Sequence, residues 1–225
     1  MFNELCIYCG NLSPTTFSWN SFLKNNSLCE SCRVKLQPIT PPYCEKCCRM
    51  LEDASICFDC ARWENDTDWT GVLSRNISLY RYNDFLKEII SRYKYRGDYA
   101  LASLFTDEIK RAITTLEIDF YVPIPLSEAR LYERGFNQSE AFLTMANLPA
   151  SMLLARNHSE KQSKKSRKER LEQSGVFECR NIETIEGKQI LIIDDIYTTG
   201  STIRHASKVL KEAGAVRVIS LTIAR

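Results

Sequence analysis

Apolar residues recur along this chain with two periods, and they begin to do so regularly only after about residue 75. Ile77 to Tyr82 reads as a strand, with Asp84 as the cap of a helix whose inner face is Phe85, Leu86, Ile89, Ile90 and Tyr93 and whose stop is Gly97. A second helix is expected from about Tyr99 to Thr115, with Leu101, Leu104, Phe105, Ile109 and Ala112 turned inward, and Ile118 to Ile124 as the next strand. Near the end, Ile190 to Ile193 has the length and β-branched content of a buried parallel strand. Asp194 and Asp195 fall where that strand should end. The small-residue loop Thr198 to Ser201 then opens into a helix from Thr202, with Ile203, Ala206, Leu210 and Ala213 on one face and Gly214 as its stop. Val216 to Ile223 is a last apolar strand. Strands alternating with helices predict an α/β fold, a parallel sheet flanked by helices.

The first sixty residues behave differently. Long apolar runs are few there, yet nine of the ten cysteines lie in this stretch. Eight of them form pairs with two residues between: Cys6/Cys9, Cys29/Cys32, Cys44/Cys47 and Cys57/Cys60. Each pair can aim two sulfurs at one ion, and two pairs complete a tetrahedron, so one or two zinc ions are expected. Pairing first with second and third with fourth is the simplest arrangement, and a cross-braced one uses the same residues. Cys48 could replace Cys47, and Cys179 reads as a small core residue. A segment this short needs the metal for much of its folding energy. The expected organisation is a zinc module over 1–62, a polar and acidic linker over 63–74, and an α/β domain over 75–225. Phe17, Trp19, Phe58 and Trp63 are the aromatics such a module could present to a partner.

Composition narrows the function classes. Of 225 residues, 44% are hydrophobic and 26% charged, the proportions of a soluble globular protein, and the net charge of +2 predicts no bulk attraction to nucleic acid or membrane. No run approaches the ~18 apolar residues of a membrane span, and Met1 to Gly10 lacks the pattern of a signal peptide. A cytoplasmic protein is expected, with peripheral membrane association only through partners, and in that compartment zinc suits the cysteines better than disulfides. One local charge run stands out. From Arg156 to Arg170 there are seven Lys or Arg against two acids, including Lys161, Lys164, Lys165, Arg167 and Lys168. Such a run can follow a single-stranded backbone or close over an anionic ligand.

The loop after Asp195 suits phosphate. Backbone N–H groups of Thr199, Gly200, Ser201 and Thr202 can converge on one anion at the positive end of a helix, and Gly200 permits a turn that a Cβ would oppose. A carboxylate pair beside a phosphate needs sugar hydroxyls or a divalent cation to hold. A phosphorylated sugar satisfies both.

At these residues, Leu191 to Thr202, the chain resembles the phosphoribosyl-pyrophosphate (PRPP) motif of type I phosphoribosyltransferases. The resemblance assigns Asp194 and Asp195 to ribose, with magnesium, and Thr198, Thr199, Gly200, Ser201 and Thr202 to the 5′-phosphate. Further islands, Tyr93 to Asp98, Val122 to Pro125 and Arg134-Gly-Phe-Asn-Gln138, together with the four cysteine pairs, resemble the ComF family of competence proteins over nearly the whole chain. That likeness implies a zinc ribbon fused to a type I phosphoribosyltransferase-like domain. It suggests Arg130, Arg134, Asn137 and Gln138 for the pyrophosphate side, and partners in PRPP, incoming single-stranded DNA and an ATP-driven DNA translocase. The rival reading is a working phosphoribosyltransferase, which needs a base-binding hood. The sequence after Val216–Ile223 offers none, and no residue announces a catalytic base. A transcriptional regulator would need a sequence-reading helix or dimer half-sites, and neither is evident.

Overall fold

The structure is a computed structural model that describes residues 4–13, 28–157, 175–180 and 182–225. A hairpin of β1 (Glu4–Leu5) and β2 (Leu12–Ser13) and the single turn α1 (Glu30–Arg33) form a first ribbon. A second ribbon runs from Tyr43 into α2 (Phe58–Glu64). The α/β part then supplies β3 (Arg75–Tyr80), α3 (Asp84–Tyr95), a 3-10 turn at Tyr99–Phe105, α4 (Thr106–Ile113), β4 (Phe120–Pro123), α5 (Glu128–Arg134) and α6 (Gln138–Met145). After these come β5 (Leu154–Arg156), β6 (Phe177–Cys179), β7 (Gln189–Ile196), α7 (Ser201–Glu212) and β8 (Arg217–Ala224).

Four strands, in the order β3-β8-β7-β4, make one all-parallel sheet, and β5 and β6 pair antiparallel beside it. The expected α/β class holds. Alternation along β7 sends Ile190 and Ile192 to one face and Leu191 and Ile193 to the other, all four fully buried. The second face packs on α3, the 3-10 turn, α4 and α6 through Leu86, Ile89, Phe105, Ile109 and Phe142. The first face packs on Ile203, Ala206 and Leu210 of α7, and on the second cysteine cluster.

Local details differ from the sequence reading for physical reasons. Asn83, and not Asp84, caps α3, because its side chain accepts from Leu86 N at 2.9 Å. The single helix expected over Tyr99–Thr115 is two pieces, a 3-10 turn and then α4 from Thr106. Strand β3 lies earlier than Ile77–Tyr82, and β4 is shorter than Ile118–Ile124. Strand β7 continues through both aspartates to Ile196, paired with β8, so the acidic pair sits inside the strand and not after it. Helix α7 starts one residue early, at Ser201, with Gly200 in a left-handed conformation (φ 84°) as its N-cap. The segment expected to be a linker is packed: Trp63, Val72 and Leu73 are buried.

Candidate functional site

Both cysteine clusters form as the simplest pairing anticipates. Within Cys6, Cys9, Cys29 and Cys32, and within Cys44, Cys47, Cys57 and Cys60, the ligand atoms all lie within 4.8 Å of one another. A tetrahedron of sulfurs at the Zn–S bond length has edges of about 3.8 Å. Cys9 Sγ to Cys29 Sγ and Cys47 Sγ to Cys57 Sγ are both 3.7 Å, so the sulfur sets fit zinc. Cys57 N donates to Cys44 Sγ at 3.3 Å, the kind of bond that steadies a thiolate. The thiols also disturb each other. A hydrogen bond from Cys60 holds Cys47 down at about 5 against its burial, while Cys60 itself is pushed up, so deprotonating all four calls for a cation. Cys48 is not a ligand; its thiol donates to Asn76 O at 3.3 Å. Cys179 is half-buried and packs at the edge of the core.

The carboxyl ends of β7 and β4 hold the second site. Asp195 is ion-paired to Lys94, at the last turn of α3. Asp194 Oδ1 accepts from Ser139 Oγ at 3.2 Å and from Asp195 N at 2.9 Å. Burial, and then the charge of Asp195, push the Asp194 carboxyl up to about 7. A carboxyl held neutral so near a second carboxylate is a place for a cation or for hydroxyl donors. Beside it, Thr198, Thr199 and Thr202 are exposed, and Gly200 is buried against Tyr197. A Cβ on Gly200 would lie 2.2 Å from Tyr197 Oη, so the loop needs glycine for space as well as for its positive φ. The first N–H groups of α7 have no helical acceptor and face the loop. Among the described residues Ser201 N donates to Thr199 Oγ1 at 3.4 Å.

Two arginines approach from the other side. Arg130 is exposed on α5, and Arg156 lies at the end of β5 over the ring of Phe177. Burial lowers the Arg156 guanidinium below its usual range, Arg130 adds to that, and Asp194 opposes it, so the three groups share one neighbourhood. Arg134, Asn137 and Gln138 are engaged within the fold. Asn137 caps α6 through Ser139 N and also donates to Ile124 O at 3.0 Å. Gln138 Oε1 accepts from Arg134 Nη1 at 2.6 Å, and Gln138 Nε2 donates to Phe136 O. Lys161, Lys164, Lys165, Arg167 and Lys168, and likewise Phe17 and Trp19, lie outside the described residues. Among the described residues Asn157 N donates to Val176 O at 3.0 Å.

Sequence reasoning missed two supports. Lys94 and Ser139 hold the acidic pair, and only the cationic cluster at the end of α3 hinted at the first. Trp63, expected as an exposed contact, is buried, and its indole N–H donates to Thr199 O at 3.0 Å. Next to it Arg204, fully buried on α7, pairs with Glu64 of α2 at 2.9 Å. Phe58 is exposed as expected.

Two cysteine clusters in a double ribbon, joined to a parallel sheet with an acidic strand end and a glycine-turned hydroxyl loop, define a phosphoribosyltransferase-type domain behind a zinc module. Family models agree: the double zinc ribbon domain matches residues 1–61 and the phosphoribosyl transferase domain residues 134–225. Competence protein ComFC of Bacillus subtilis is 36% identical over 98% of this chain and 95% of its own length. Competence protein ComFC of Streptococcus pneumoniae is 34% identical over 98% and 99%. A shorter stretch, 41 residues or 18% of this chain and 14% of the other, is 51% identical to the ribose-phosphate pyrophosphokinase of Methanobrevibacter smithii. The chain belongs to the ComF family of competence proteins. No helix among the described residues is long and apolar enough to cross a membrane.

Proposed function

We propose that this chain is a competence protein that handles single-stranded DNA during uptake at the cytoplasmic side of the membrane, with a DNA translocase as partner, and that it binds PRPP with magnesium at the β7 site. The full-length likeness to ComFC proteins supports the competence role. The observation that carries the PRPP reading is the adjacency of Asp194 and Asp195 to a loop whose glycine cannot be replaced without a clash.

In this reading the loop N–H groups and the hydroxyls of Thr198, Thr199, Ser201 and Thr202 hold the 5′-phosphate. The two carboxylates take the ribose hydroxyls, with magnesium on the same side. Lys94 would hold Asp195 in place through their ion pair. Arg130 and Arg156 would face the pyrophosphate, an arrangement that neutralises a leaving group in phosphoribosyl transfer. Arg134, Asn137 and Gln138 would act indirectly, by fixing the turn that carries Arg130.

Calorimetric titration with PRPP and magnesium tests this. Saturable binding that disappears in Asp194→Ala/Asp195→Ala is expected, and unchanged affinity in that variant would overturn the site. Adding nucleobases while assaying pyrophosphate tests whether the site transfers ribose phosphate or only senses it.

A further inference from the structure

A second cleft opens at the carboxyl ends of β3, β8 and β7, on the side of the sheet away from β4. Its volume is about 390 Å³, within the range that small ligands occupy, and it is walled partly by the second ribbon. Three guanidiniums line it, those of Arg49, Arg81 and Arg225. Arg49 is paired with Asp59 at 2.5 Å. Among the described residues neither Arg81 nor Arg225 has a carboxylate within ion-pair distance.

Arg225 is fixed in place. Its Nη1 donates to Tyr197 O at 3.0 Å and to Thr198 O, and its guanidinium lies 4.9 Å from the Tyr197 ring centre. Its Nε and Nη2 are buried with no acceptor, a cost a protein tolerates only where something offsets it. Arg81 stands exposed at the rim, and beside it Tyr82 leaves 43% of its surface in water. Thr198 belongs both to this cleft and to the hydroxyl loop of the β7 site. An exposed cation with no carboxylate partner among the described residues, Arg81, together with a free aromatic ring is the chemistry that recognises a phosphate attached to a planar base.

We infer that this cleft is a nucleotide-binding site, with Arg81 for the phosphate, the fixed charge of Arg225 behind it, and Tyr82 as a stacking platform for the base. It deepens the single-strand part of the proposed function, and it adjoins the PRPP site at Thr198. The same chemistry is offered by a free nucleotide and by one unit of a single strand. The site borders the metal-bearing second ribbon, so the ribbon acts as one wall of a ligand site and not as a separate reader.

The test uses the full, zinc-loaded chain and the anisotropy of a fluorescein-labelled oligothymidylate at several salt concentrations. Arg81→Glu should weaken binding about tenfold or more, and Arg81→Ala should lower the salt slope by about 0.7, the share of one phosphate contact. Tyr82→Ala should cost about tenfold through lost stacking. Competition by thymidine 5′-monophosphate would assign the cleft to a free nucleotide, and competition only by longer oligomers would assign it to a strand. Binding within twofold of wild type in both Arg81→Glu and Tyr82→Ala, with unaltered zinc content and melting, would overturn the cleft while leaving single-strand binding intact. If wild type bound the monophosphate but not the oligomer, the single-strand reading would fall and the cleft would survive. Binding of neither probe would overturn both.

Discussion

The two zinc ribbons share the Cys-x-x-Cys pair, the second with a shorter spacer between its pairs, and meet the rest of the chain in opposite ways. The first leans on the outside of α3: Tyr8 packs edge-on to Phe85 at 4.8 Å, Arg92 donates to Tyr8 O at 2.7 Å, and Cys9 is exposed. The second is built into the sheet. Its four cysteines are buried in one cluster with Leu73, Ile190, Ile192, Tyr197 and Ile203. The sheet is adapted to receive it, because the β3 and β8 surface next to Cys48 is polar. Asn76 there binds Ser78, Ser220 and Thr222, and Asn76 N donates to Lys46 O at 2.7 Å. A zinc site on a surface is replaceable; one that completes a core is part of the fold. Each ribbon also reaches a different half of the β7 site. The first rests on the helix that delivers Lys94 to Asp195, and the second holds Thr199 through Trp63.

The largest expected effect breaks this comparison if it fails. Cys60→Ser, at a fully buried ligand, should remove one zinc and cooperative unfolding together, a loss of more than about 3 kcal/mol, since structural zinc binding is itself folding energy. Thermal melts followed by near-ultraviolet circular dichroism, with metal analysis, measure both. A melt within a few degrees of wild type would make the second ribbon as peripheral as the first. Cys9→Ser should also remove one zinc, yet cost only about 1 kcal/mol and leave the sheet's transition cooperative.

The link from the second ribbon to the loop can be tested between those extremes. Gly200→Ala combines a positive φ with a 2.2 Å approach to Tyr197 Oη and should cost about 2–3 kcal/mol. Trp63→Phe keeps the packing and deletes one hydrogen bond, for about 1 kcal/mol in stability, and should weaken PRPP binding several-fold by loosening Thr199. Unchanged affinity in Trp63→Phe would detach the ribbon from the site.

These contrasts also explain what the sequence made legible. Alternating periods gave the α/β class because β7 and α7 bury nearly every apolar position they offer. The cysteine spacing gave both clusters, since each pair is local. The union of ribbon and sheet was hidden, because it rests on contacts far apart in the chain. Trp63 to Thr199 spans 136 residues and Arg204 to Glu64 spans 140. A polar, acidic stretch such as 63–74 resembles a solvated linker until its two tryptophans are seen packed edge to face at 5.0 Å. Lys94 escaped for the same reason, since a cation at a helix end is ordinarily read as complementing the helix dipole.

The smallest effect has the opposite sign and concerns the half of the site nearer the first ribbon. Asp194 keeps its proton in the folded chain up to about pH 7, whereas its ordinary value is 3.8. Between those limits the folded state binds more protons than the unfolded one, so stability falls as pH rises from about 4 and levels off above 7. Asp194→Asn should therefore raise the melting temperature at pH 8 and leave it unchanged near pH 3.5. Lys94→Ala should carry the fall to higher pH, because Lys94 lowers the Asp194 value. Magnesium with PRPP should flatten it, as ligand cation and hydroxyls favour the ionised pair. Equal pH dependence in wild type and Asp194→Asn would show that the acidic pair holds no electrostatic strain, and the ligand would then have no such strain to relieve.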